Sequence, residues 1–200
     1  MASPHASQRV IEVTNSANYR NFPLHASGDA LTRASPEAVW SVVETIGGEN
    51  RYFVMNALWT VREWMDAVVG GDGMIHRRPA SGLTHVGQQV DSWRVTAIAP
   101  PNLLALEFGM KAPGDGVLEF TIAPDGGGAH LHVTAWFDPD GLAGRLYWAA
   151  MKPAHLVLFD RLTAEIARRA ADSGQSDRGE RPAAELKDQD NGPTAPFRAG

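Results

Sequence analysis

From about Val90 to Phe137, apolar and polar residues alternate in short runs separated by turn-forming clusters. That is the signature of antiparallel strands joined by tight connections. Over residues 89–98, Trp93, Val95 and Ala97 share one parity, and Ser92, Arg94 and Thr96 the other. Pro100-Pro101-Asn102 turns the chain, and a second strand is predicted over 103–110. Pro113-Gly114-Asp115-Gly116 predicts the next turn, 117–122 a third strand, and Pro124 to Gly128 a further turn. The fourth strand, 130–137, puts Leu131, Val133, Ala135 and Phe137 on its core face. From Gly141 to Ala171 the apolar period lengthens to that of a helix, opened by a capping Asp in Asp138-Pro139-Asp140-Gly141. Pro153 falls inside this helix, where a missing N–H and a ring clash predict a kink or division.

The earlier part of the chain predicts one strand and two helices. Residues 26–33 read as a strand, and Ser35-Pro36-Glu37 as a helix start: a capping Ser, a Pro at the first helical position and an early acid facing the helix dipole. Gly47-Gly48 stops that helix. A second is predicted over 54–69, with Leu58, Val61, Trp64, Met65 and Val68 at helical spacing. The expected fold class is therefore α+β: a curved antiparallel sheet gripping one long C-terminal helix, with two short helices after the first strand and a cavity between sheet and helix. Residues 1–20 are expected to be a flexible segment, in which Val10, Ile11 and Val13 form a short strand or nothing. Residues 21–171 are expected to be the folded domain. Residues 172–200, rich in charge, Gly and Pro, read as a disordered tail.

Composition narrows the functional classes. Hydrophobic residues make up 44% of the 200, enough for a packed core. Eighteen basic residues against 23 acidic leave a net charge of −5, which argues against a nucleic-acid surface. The absence of cysteine excludes disulfides, thiolate zinc sites and a cysteine nucleophile. No apolar run approaches the roughly 20 residues that span a bilayer, and the first residues contain no secretory h-region. The expectation is a cytoplasmic protein without a membrane partner.

Several groups carry candidate chemistry. Gly70-Gly71-Asp72-Gly73 has neither a preceding strand nor a following Gly-Lys, so it reads as a helix stop rather than a phosphate loop. Arg77 and Arg78 suit either an anionic ligand or solvent. His130 and His132 share a face and could chelate, but they alternate with the core-facing Leu131 and Val133 and therefore point outward. The sequence places no third ligand beside them, so no metal is expected. Asp91, Arg94, Glu107, Lys111 and Glu119 are the charges of the strand block, available either for cross-strand pairing or for a role inside a cavity. Arg94 and Glu119 are the preferred candidates for orienting a ligand or moving a proton, with His155 beyond the kink proline as a third. Only one strand parity faces inward, and the pattern does not say which. Trp93, Trp136, Tyr147 and Trp148, with Met110, are the candidate apolar ligand contacts; plain core packing is the alternative.

The order of elements resembles the helix-grip fold of the START-like or SRPBCC superfamily, which includes polyketide cyclases and lipid-binding proteins. Ala34-Ser35-Pro36-Glu37-Ala38-Val39-Trp40 is similar to the first-helix opening of that group. More closely, five stretches resemble a bacterial domain family of unknown function: Asp91-Ser92-Trp93-Arg94-Val95, Met110-Lys111-Ala112-Pro113-Gly114, Leu118-Glu119-Phe120, the run Gly141 to Trp148, and Pro153-Ala154-His155. Members of that family often follow a short-chain-dehydrogenase-like NAD(P)-binding domain. The chain departs from the pattern at Gly109, Val117 and near Arg51, where the family usually has Glu, Trp and an aromatic. If those positions line the pocket, this one is roomier and less acidic. The resemblance implies binding of a small apolar or aromatic molecule, with cofactor-independent cyclisation, dehydration or isomerisation as the chemistry related folds perform. The alternative is a non-enzymatic module docking with a dehydrogenase-like protein partner.

Overall fold

A computed structural model describes residues 18–46, 83, 85–90, 93–108 and 112–179, with side chains through Ser173. The predicted second helix, Gly70 to Gly73, Arg77, Arg78, Asp91, Gly109, Met110, Lys111 and the short apolar run near Val10 lie outside the described residues. After a 3₁₀ turn, Tyr19–Asn21, come β1 (Leu24–Thr32), α1 (Pro36–Val43), β2 (Gln89–Val90), β3 (Trp93–Ala99), β4 (Leu103–Phe108), β5 (Gly114–Asp125), β6 (Gly128–Pro139) and α2 (Gly141–Gly179). The strands form one antiparallel sheet in the order β1-β6-β5-β4-β3-β2, and α2 packs on one of its faces. This is the α+β arrangement of strands and closing helix that the sequence pattern predicts.

Local chemistry accounts for the elements. The Ser35 hydroxyl accepts from the Ala38 N–H with Pro36 just inside α1, so the predicted cap is formed. Gly126 and Gly127, both at positive φ, make the two-residue turn between Asp125 and Gly128. The β5–β6 hairpin runs on either side of it from Gly114 to Pro139, which makes β5 twelve residues long. The predicted turns at 113–116 and 124–128 are shorter in the structure because Gly114 to Gly116 and Pro124 to Asp125 continue the ladder.

One strand departs from simple alternation. Thr96 is an extra residue between the pairs Val95–Leu106 and Ala97–Ala105. Such a bulge inverts the parity that follows it. Trp93, Val95 and Ile98 therefore enter the main core, whereas Ala97, expected beside Trp93 and Val95, joins Ala105 on the opposite face. The main core also holds Leu104, Leu106, Leu118, Phe120, Leu131 and Val133 from the sheet, and Val39, Trp40 and Val43 from α1. A smaller cluster on the other face gathers Tyr19, Ala97, Ala105 and Val117, flanked by Phe22, Leu103 and Trp136.

The closing helix runs to Gly179, past the predicted end at Ala171, and passes through Pro153 without interruption. Its two halves are embedded differently. From Leu158 onward, Leu158, Phe159, Leu162, Ile166 and Ala170 are buried at helical spacing. Before that point Trp148 is the one buried large apolar residue among those described, and Leu142, Leu146 and Leu156 are each more than 60% exposed. The C-terminal half lies close against β1. A Cβ on Gly28 would sit 2.6 Å from the Phe159 backbone carbon, and the buried Thr163 hydroxyl lies 3.2 Å from the Asp29 carbonyl oxygen. Farther along, Glu165 accepts from both Arg168 and Arg169 at 2.8–2.9 Å, and those hydrogen bonds hold its carboxyl down to about 2.

Candidate functional site

The looser half of α2 covers a cavity of about 50 Å³ over the sheet. Trp93, Phe108, Leu118, Ala135 and Phe137 border it from the strands, and Tyr147, Trp148, Met151, Ala154, His155, Leu158 and Phe159 from the helix. Aromatic rings dominate. Trp148 stacks on Phe137 with ring centres 5.3 Å apart and planes within 10°, and Trp93 packs on Phe108 at 4.5 Å. His155 lies between Trp148 at 4.7 Å and Phe159 at 5.4 Å, bringing an imidazole to an otherwise largely apolar lining. The space is of a size for only a few waters; ligand pockets usually measure about 300 Å³ or more.

The structure separates the residues singled out from the sequence. Trp93, Tyr147, Trp148 and His155 meet at the cavity. Trp136 borders it, but its ring belongs to the cluster on the other face of the sheet, 5.3 Å from His25. Arg94 is exposed on β3, opposite Glu107 of β4. Glu119 is 5% exposed and also faces away from the cavity. Its Oε2 accepts from the Tyr19 hydroxyl, from Arg20 Nε at 2.8 Å and from Arg20 Nη2 at 2.6 Å. Burial, and next the neighbouring Glu119, push the Tyr19 hydroxyl above its usual range, so it stays a proton donor. This trio ties the chain before β1 to the back of the sheet. His130 lies outward as its apolar neighbours predict, with its Nε2 3.2 Å from Asp29 Oδ2.

Phe108, Phe137, Met151 and Phe159 are cavity residues that the sequence reading did not select as ligand contacts. Phe137 falls on the predicted core face of the fourth strand and Phe159 within the predicted last helix, where nothing distinguishes a residue beside a void from one in solid packing. Tyr19 and Arg20 carried no signal, because their partner lies about a hundred positions away.

The chain belongs to the DUF2867 family of proteins of unknown function, whose model matches residues 25–162. Several solved structures are similar to the chain at low identity. A Mesorhizobium loti protein is 19% identical over 72% of this chain and 98% of its own, with a TM-score of 0.41. A Rhodobacter sphaeroides protein is 14% identical over 77% and 93%, with a TM-score of 0.45. A Staphylococcus aureus protein of unknown function is 12% identical over 76% and 96%, with a TM-score of 0.43. No curated protein matches the sequence. Among the described residues, no helix is long and apolar enough to cross a membrane.

Proposed function

We propose that this protein binds a small apolar or aromatic molecule between the sheet and the N-terminal half of α2, as members of the START-like superfamily it resembles do. The supporting observation is the ring-lined cavity that takes in Trp93, Phe137, Trp148 and the imidazole of His155. Flat apolar surfaces favour a planar, uncharged guest, and one imidazole can hydrogen-bond a single polar group on it. If the guest reacts, His155 is the group placed to move a proton, in a cyclisation, dehydration or isomerisation that needs no cofactor. The small volume sets a condition. Entry requires the loosely packed half of α2 to lift, and the missing N–H of Pro153 makes that point the natural hinge.

Calorimetric titration with p-cresol, a neutral single-ring probe, tests this. Trp148→Ala or Trp93→Ala is expected to change affinity by about tenfold, the scale of one large apolar contact, and His130→Ala to leave it unaltered. Equal behaviour of all three variants would mean that the pocket lies elsewhere.

A second reading is supported by the exposed face of the same half-helix, where Leu142, Leu146, Leu156 and Val157 meet solvent. Such a face suits an accessory module docking on a dehydrogenase-like partner. The two readings separate because Leu146→Lys would abolish docking without touching the cavity.

A further inference from the structure

The back of the β1–β6 pair carries a cluster that the cavity does not use. Asp29 registers directly with His132, and His130 with Leu31, so Asp29, His130 and His132 project from one face of two paired strands. All are accessible: the Asp29 and His130 side chains are 61% and 42% exposed, and His132 is partly exposed. His130 Nε2 and Asp29 Oδ2 are 3.2 Å apart. Two ligands at zinc-bond length on a tetrahedral ion stand about 3.3 Å apart, so this pair already spans one edge of a coordination tetrahedron. The His130 and His132 ring centres are 6.5 Å apart. Two imidazoles on one ion place theirs at about 5 Å. Among the described residues no three such side chains converge, so binding requires a rotamer adjustment of the partly exposed His132.

We propose that Asp29, His130 and His132 form a surface site for a borderline divalent cation, zinc(II) or copper(II), with a fourth position open to solvent. The ligand set of two imidazoles and one carboxylate suits those ions, whereas an all-oxygen shell would suit magnesium or calcium. Among the described residues β1 is the sheet's edge strand and β6 its one neighbour, so the ion would clamp the sheet margin on which α2 rests.

Isothermal titration of the full chain with zinc chloride, alongside thermal melts, decides the matter. The wild type is expected to bind one ion with micromolar affinity and to melt higher when zinc is added. His132→Ala is expected to weaken binding at least about tenfold and abolish the melting shift, as loss of one of three ligands demands. Asp29→Asn should weaken it less, and His25→Ala, on the same sheet face, should bind as the wild type does. Zinc binding by His132→Ala equal to that of the wild type, or no saturable wild-type binding below millimolar zinc, would overturn the proposal. These three side chains lie at the surface, so their replacement leaves the core intact.

Discussion

Gly28→Val is expected to destabilise the protein by about 3 kcal/mol, at the upper end of what overpacking usually costs. The valine Cβ would start 2.6 Å from the Phe159 backbone carbon and 2.9 Å from the Asp160 nitrogen. Backbone cannot rotate away as a side chain can, so relief requires α2 to shift off β1. That shift would strain the contacts made by Phe159, Leu162 and Ile166 and by the Thr163 hydroxyl. For a domain of this size the melting temperature should fall by roughly 10 °C, and Gly28→Ala should show a smaller drop. A Gly28→Val protein that melts with the wild type would mean that the helix does not rest on β1 as described.

Removing the Glu119 carboxylate has the second largest expected effect. Glu119→Ala leaves the buried Tyr19 hydroxyl and two Arg20 donors without their acceptor. Breaking a fully buried ion pair costs about 3–5 kcal/mol, but the Arg20 side chain is 55% exposed and regains water. The expected loss is therefore about 2 kcal/mol, the cost of orphaning one buried donor and loosening one half-exposed pair. Denaturant melts of Glu119→Ala and Tyr19→Phe measure it, with Tyr19→Phe losing about half as much. The alkaline limb gives an independent signature. The Tyr19 hydroxyl sits above its ordinary value of 10.0 in the fold. Its contribution is therefore complete below pH 10 and is lost as pH rises through the higher folded value. Tyr19→Phe should lack that part of the alkaline loss. Activity or ligand affinity that falls while stability stays unchanged would instead place Glu119 in the working site.

Much of the architecture is written in local pattern. Alternation and Gly/Pro clusters mark β3 to β6, Ser35-Pro36 marks α1, and the change of period at Gly141 marks α2. Parity also settles the outward direction of His130 and His132, because Leu131 and Val133, which alternate with them, have to be buried. Parity fails where the chain adds a residue: Thr96 inverts the phase of β3 and sends Ala97 to the other face. It is silent, too, on which of two half-apolar faces carries the helix. Arg94 and Glu119 were candidates for a cavity role on that account, and both turn away from the cavity. Groups joined across the sequence, such as Glu119 with Tyr19 and Asp29 with His130, leave no periodic trace. The size of the cavity depends on how seven helix side chains seat against seven on the strands, a packing outcome that no single position encodes.

The proposed function stands or falls on whether the space beneath the N-terminal half of α2 accepts a guest. Native mass spectrometry of the full chain purified from its own host tests it most directly. A mass increment from one small, uncharged aromatic or apolar molecule is expected on the wild type, lost or reduced in Trp148→Ala and retained in His130→Ala. A wild-type protein that carries no such molecule and takes up none from the host's small-molecule extract would contradict it.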